Sequence, residues 1–296
     1  MGRLTIGVLV TNYNSWDLAM LCVNAHLKHS GRAIEKILLI DDHSDETYDG
    51  PLDPKVRVIR NEKNLGFVKS VNVGFANLDT DLVVLFDADA YPLMDYSASI
   101  LRDFMNDSRL GVFGFTTYDK NNLVTGSSEE EPGILSLIIG QKLDGFYRKY
   151  FRKNPRRDVV YSCSMVVRKS AFEDVGGFDE NFDWLDVDHD FCMRMRARGW
   201  KVKYGKEARA FHEGGGTPQL SSDRLLRSYK NRWYLLRKHG KIKNAFLMKS
   251  VILLRLRLEY MVLLVFRNLI FKNKTVAVDK LWGRKRVIGY CKENYK

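Results

Sequence analysis

Apolar positions change their period several times along the first 210 residues. Residues 4–11 form a short β-branched run with no helical repeat, the pattern of a buried strand. Residues 16–29 then place Leu18, Leu21, Cys22 and Ala25 at helical spacing, with Asn14, Ser15 or Asp17 available as a cap. Segments 34–40, 56–60 and 81–86 predict further strands, and 68–77 a helix after the turn Asn64-Leu65-Gly66. The stretch 111–158 is less regular: 112–118 predicts a strand, 127–132 an acidic loop, and 143–157 a basic segment rich in Tyr and Phe. Beyond it, 161–168 predicts a strand and 188–198 a helix stopped at Gly199. A last strand, 201–210, leads to His212 and the run Gly214-Gly215-Gly216. Strands alternating with helices predict an α/β fold with a mostly parallel central sheet and flanking helices.

In such sheets ligands bind beyond the carboxyl ends of the strands. Here those ends are polar: Asn12-Tyr13-Asn14, Asp41 to Asp45, and Asp87-Ala88-Asp89. The chain has no GxGxxG and no GxxxxGK[ST], so it lacks the glycine-rich turns that cradle phosphate in dinucleotide and P-loop sites. Phosphates would instead be held through a metal. Asp87 and Asp89, at i and i+2 after a buried strand, face one mouth and supply hard oxygens suited to Mg²⁺ or Mn²⁺. The same pattern also occurs in ordinary loops. Asp186, Asp188 and Asp190 enter a helix, where they serve either as caps and dipole partners or, beside a metal–diphosphate centre, as a general base. His212, after a strand and before the glycines, is a third metal ligand or an ordinary surface histidine.

Six segments stand in a telling order: Val10-Thr11-Asn12-Tyr13-Asn14-Ser15, Ile40-Asp41-Asp42-His43-Ser44-Asp45, Asn61-Glu62-Lys63-Asn64-Leu65-Gly66-Phe67, Asp87-Ala88-Asp89, Val175-Gly176-Gly177-Phe178-Asp179-Glu180, and Val187-Asp188-His189-Asp190-Phe191-Cys192-Met193-Arg194. Together they resemble family 2 glycosyltransferases of GT-A (Rossmann-like) fold, the rhamnosyltransferase-like members above all. The resemblance covers roughly residues 4–240, including Lys230-Asn231-Arg232. It implies inverting transfer of a sugar from a UDP-, dTDP- or GDP-linked donor to a hydroxyl of a glycan or lipid-linked acceptor, with Mn²⁺ or Mg²⁺. It places Asp41 or Asp42 against the base or ribose, with Asn12, Tyr13, Asn14 and Asn64 lining the donor pocket. It places Asp87 near the ribose and metal, Asp89 and His212 on the metal, and Gly177, Trp184, Asp186 and Asp190 near the sugar or acceptor. Asp188 matches the family's catalytic base, although Val187 replaces the glutamate that precedes it and Asp186 lies one residue earlier. The chemistry is consistent: a hydroxyl nucleophile needs proton removal as it attacks an oxocarbenium-like carbon. Gly214–Gly216 would hinge a loop over the donor, or merely connect.

Composition changes the picture at one end. The 296 residues carry a net charge of +12 and are 45% hydrophobic, an ordinary globular balance. The charge is uneven: residues 224–296 hold 20 Lys/Arg and 3 acids, net +17, while residues 1–223 hold 28 and 33, net −5. The expected division is therefore a transferase domain at 1–223 (donor half about 1–110, acceptor half about 111–223) and a basic helical region at 224–296. In 244–271, Val251, Leu254, Leu258, Met261, Val262, Val265 and Leu269 fall in one apolar stripe broken by charges, which suits an anionic membrane surface better than a span. The same stripe would also pack on the catalytic domain or on a second copy, giving a homodimer. Nucleic acid is not expected, because the aromatics are not interleaved with the basic clusters. The scattered cysteines Cys22, Cys163, Cys192 and Cys291, and a start without a secretory pattern, predict a cytoplasmic protein peripheral to a membrane. Two rivals remain: a sugar nucleotidyltransferase, which would show a glycine-rich basic loop that 11–16 lacks, and a non-catalytic membrane scaffold.

Overall fold

The computed structural model describes residues 3–151, 157–212, 221–270 and 273–295; the Gly214–Gly216 hinge and part of the basic segment 143–157 lie outside them. In chain order the elements are β1 (Ile6–Asn12), α1 (Trp16–Ser30), β2 (Ile34–Asp41), β3 (Val56–Arg60), α2 (Phe67–Asn77), β4 (Leu82–Asp87), β5 (Ala90–Pro92), α3 (Ser97–Asn106), β6 (Leu110–Tyr118), β7 (Ser128–Glu129), α4 (Leu135–Ile138), α5 (Gln141–Phe151), β8 (Val159–Val160), β9 (Ser164–Arg168), α6 (Lys169–Asp174), α7 (Val187–Ala197), β10 (Lys201–His212), α8 (Ser221–Lys238), α9 (Ala245–Ile270) and α10 (Lys274–Asn294). Contacts group them into two compact units, Met1–Glu131 with Arg156–Gly216, and Pro132–Pro155 with Thr217–Lys296.

The first unit is built on an eight-stranded sheet of order β3-β2-β1-β4-β9-β6-β10-β5. Strands β3, β2, β1 and β4 run parallel, as do β6 and β10, whereas β9 and β5 run against their neighbours. The inner strands are apolar on both sides, as a sheet covered by helices requires. Ile6, Val8, Val10, Val84 and Phe86 pack in one core with Ala19, Cys22 and Val23 of α1 and with Phe113 and Phe115 of β6. On the other face α2 approaches β1 at Gly74, where an added Cβ would fall 2.3 Å from Leu9 Cδ1.

Strands β5, β7 and β8 are absent from the sequence pattern, being two or three residues long. Their pairing partners, not their own periodicity, make them strands. Helix α3 follows with a clear inward face, Ile100 and Phe104.

The second unit has its own core, in which Leu137 of α4 joins Tyr229, Trp233 and Leu236 of α8, Ile252 and Leu256 of α9, and Val287, Cys291 and Tyr295 at the chain's end. Trp233 and Tyr295 stack with ring centroids 3.7 Å apart. Residues 132–151 therefore group with the C-terminal helices. Helix α9 buries Ile252 and Leu256, while the expected stripe, from Leu254 and Leu258 to Met261 and Leu269, faces solvent. No helix among the described residues is long and apolar enough to cross a membrane. All four cysteines are buried free thiols.

Candidate active site

The site assembles at the carboxyl end of β4. After Asp87 the chain turns at once into β5, which pairs antiparallel with β10 and sets Ala90 opposite His212. This register brings Asp89 Oδ1 to 3.7 Å from His212 Nε2. Asp87, Asp89 and His212 each offer a ligand atom, all within 4.8 Å of one another. The donor set of two carboxylates and one imidazole suits Mn²⁺ or Mg²⁺ with further positions left for phosphate oxygens and water. One observation supports the fit: among the described residues Asp87 Oδ1 is buried without a hydrogen-bond partner, the setting of an atom that a bound cation would satisfy. Burial first, then the charges of Asp89 and Asp188, push the Asp87 carboxyl up to about 8.

Asp188 is tied to this centre through two adjacent residues. The Asp87 amide donates to the Cys163 carbonyl at 3.2 Å, and the Ser162 amide donates to Asp188 Oδ1 at 3.1 Å. Asp188 lies in the first turn of α7, which starts after Asp186 in the left-handed region (φ +64°). Burial raises the Asp188 carboxyl to about 6, opposed by the Ser162 contact and by His189.

The neighbouring acids behave differently. Asp190, expected near the sugar, is fully buried and bound to Arg194 Nε at 2.7 Å. Arg194 in turn donates to the Val175 carbonyl at 2.6 Å, so this pair anchors α7 to the glycine turn. Asp186 lies 3.3 Å from His189 Nδ1, and His189 Nε2 meets Glu129 of β7. Gly176 and Gly177 adopt φ +77° and +70°, and the turn is clipped to α2 by Asn72, which accepts from the Phe178 amide and donates to its carbonyl, both at 3.0 Å. Trp184 is partly buried beyond this turn, its amide on Asp183.

The expected donor half holds a buried polar network. Asn12 and Asp41 are register partners in β1 and β2. Asn12 Nδ2 donates to Asp41 at 3.1 Å, and its Oδ1 accepts the Ser15 amide at the start of α1. Asp41 is also bound by Ser44 and by Arg60, the latter at 2.6 Å. Asp42 accepts the amides of Leu65 and Gly66, each at 2.8 Å, and thereby holds the turn before α2. Both aspartates are thus bound within the fold, whereas Tyr13, Asn14 and Asn64 stand at the surface. Asn14 (φ +52°) exchanges two hydrogen bonds with Asp45. Sequence reasoning missed Arg60, Ser162 and Glu129. Arg60 had a signal, since it ends β3 directly opposite Asp41; Ser162 and Glu129 had none.

The model of the family "Glycosyl transferase family 2" matches residues 7–176. Among curated proteins, the chain is 25% identical over 196 residues to the pre-mycofactocin glycosyltransferase of Mycobacterium tuberculosis, covering 60% of this chain and 37% of that protein. It is 25% identical over 207 residues to the N-acetylglucosaminyl-diphospho-decaprenol L-rhamnosyltransferase of the same organism, covering 62% and 67%. The chain therefore spans little more than a third of the first relative's length. Its fold is similar to that of GalNAc-T7, solved with UDP, GalNAc and Mn²⁺, at TM-score 0.56 and 15% identity over 79% of this chain and 50% of that one. It is likewise similar to the mannosyltransferase PcManGT of Pyrobaculum calidifontis, solved with GDP-Man and Mn²⁺, at TM-score 0.56 and 11% identity over 98% and 87%. With more than half of its residues matched, and with the acids at the ends of its strands, the chain belongs to glycosyl transferase family 2.

Proposed function

We propose that the protein transfers a sugar from a nucleotide-diphosphate donor to an acceptor hydroxyl with inversion at the anomeric carbon. The observation that carries this reading is the convergence of Asp87, Asp89 and His212 with Asp188 across residues 162 and 163. Membership of the family supports the reaction class. Asp87, Asp89 and His212 would hold a divalent cation, Mn²⁺ or Mg²⁺, whose chemistry when bound is to neutralise charge on a departing diphosphate.

This chain's residues do the rest. The network of Asn12, Asp41, Ser44 and Arg60 fixes the β1 and β2 exits, so Tyr13 and Asn14 present a preformed wall to the nucleoside. Asp188, held by the Ser162 amide, takes the acceptor's proton as its oxygen attacks. A carboxylate raised by burial is a stronger base than one in water, which suits that task. Asn72 and the Gly176–Gly177 turn form the floor on which the sugar rests. The acceptor is a glycan or a lipid-linked saccharide.

The test is a panel of UDP-, dTDP- and GDP-sugars, each with and without Mn²⁺, read first by thermal shift and then by transfer. A donor that binds only the native state raises the melting temperature by mass action. Product configuration by NMR decides inversion. Failure of every donor to bind with metal present rules out the enzyme reading and favours the scaffold.

A further inference from the structure

Two helices of the second unit leave apolar faces uncovered. In α5, Leu143, Phe146, Tyr147, Tyr150 and Phe151 follow the spacing of one helical face, and each is between 47% and 69% exposed. The aromatics touch along that face, Phe146 to Tyr150 at 4.6 Å and Tyr147 to Phe151 at 5.7 Å between ring centroids. In α9, Leu254, Leu258, Met261, Val262, Val265 and Leu269 are between 51% and 84% exposed, while Ile252 and Leu256 on the same helix are fully buried. Among the described residues, helix α9 is thus apolar on two sides and packed on one. The short helix α4 packs against both α5 and α9, so both belong to one folded body. Exposed apolar faces of this size mark an interaction site.

Charge selects the occupant. Residues 224–296 carry net +17, and Lys243, Arg257 and Lys274 are exposed beside or within α9. A second copy would bring the same positive charge to the interface and be repelled. An anionic lipid surface complements it. The side-chain chemistry agrees, since Tyr and Phe with Leu are the residues that settle at the headgroup–acyl boundary, and basic flanks hold such a helix to anionic lipid. We propose that the second unit docks on an anionic bilayer, lying in its surface with the α5 aromatic face and the α9 aliphatic face buried among the lipids. This goes beyond the sugar-transfer reading and stands or falls without it.

The experiment is vesicle flotation of the full chain. Vesicles of phosphatidylcholine alone are compared with vesicles that also contain phosphatidylglycerol, at low and high salt. The wild type is expected to favour the mixed vesicles by at least about tenfold and to lose that preference in high salt. A Phe146→Ser, Tyr150→Ser, Phe151→Ser variant and a Leu258→Ser, Met261→Ser, Val265→Ser variant are each expected to bind at least about tenfold more weakly, with unchanged melting temperature because the replaced side chains face solvent. Absence of wild-type binding, equal binding to both vesicles, or full binding by both variants overturns the proposal. So does a dimer in sizing and light scattering that the variants dissociate, because the second copy is then the occupant. The lipid and salt arms use only the wild type and decide the matter even if a variant misfolds.

Discussion

Asp89 Oδ1 lies 3.7 Å from His212 Nε2 because Ala90 and His212 are partners in the antiparallel pairing of β5 with β10. A strand of three residues therefore sets a relationship between side chains far apart in sequence. The consequence is that the candidate metal site and the sheet edge depend on each other: whatever loosens β5 also separates Asp89 from His212.

Asp89→Asn removes an anionic ligand and keeps its shape. Mn²⁺ affinity is expected to fall by at least about tenfold, read by calorimetric titration of the metal alone. His212→Ala should do the same. An unchanged titration in both would show that the ion, if bound, lies elsewhere.

Asp188→Asn leaves the Ser162 amide an acceptor oxygen but removes the base. Transfer is expected to fall by about 10²–10⁴-fold while the thermal shift from donor and Mn²⁺ persists. Near wild-type turnover would assign the proton to Asp186 or to water. With Asp188 as the base, the wild-type rate should rise with pH through about 6, where its carboxyl loses the proton.

Stability should move the other way with pH. Asp87 and Asp188 have carboxyls raised to about 8 and about 6, against roughly 3.9 in the unfolded chain. The folded protein therefore holds protons that the unfolded chain has already released. Their stabilising contribution is complete below about pH 4 and is lost as the pH climbs through both folded values. In a metal chelator, the melting temperature should fall between about pH 5 and about pH 8. Mn²⁺ should restore more stability at the upper end, because ligation requires the deprotonated carboxylate. A melting temperature flat in pH, with and without metal, contradicts this.

Two substitutions test the scaffolding. Gly177→Ala puts a Cβ at φ +70° and 3.0 Å from Asn72 Oδ1, the atom that clips the glycine turn to α2. About 1–2 kcal/mol should be lost in urea unfolding from the left-handed backbone alone. Arg60→Met leaves Asp41 buried without its cation. Because Arg60 is a third exposed, the loss should be about 1–3 kcal/mol, short of that for a fully buried pair, with weaker nucleotide binding.

The sequence alone pointed to the parallel core, because burial on both faces of β1, β2 and β4 requires the apolar runs that these three segments show. It also determined that Asp87 and Asp89 stand at a strand exit, since the apolar run of β4 ends there. Three things were decided by tertiary structure. The burial of Asp190 against Arg194 came from packing. The binding of Asp41 by Arg60, and of Asp42 by the amides of Leu65 and Gly66, came from segments brought together by the fold. The stripe on α9 could be read from its spacing, but which side of a helix apolar on two faces would be buried was settled by α10 and α4, which pack on α9 in the core that holds Ile252 and Leu256 and leave Leu258 and Val265 in water. Periodicity along a chain records which residues can be buried together. Which of them are depends on partners distant in sequence, and only the folded chain brings those partners within reach.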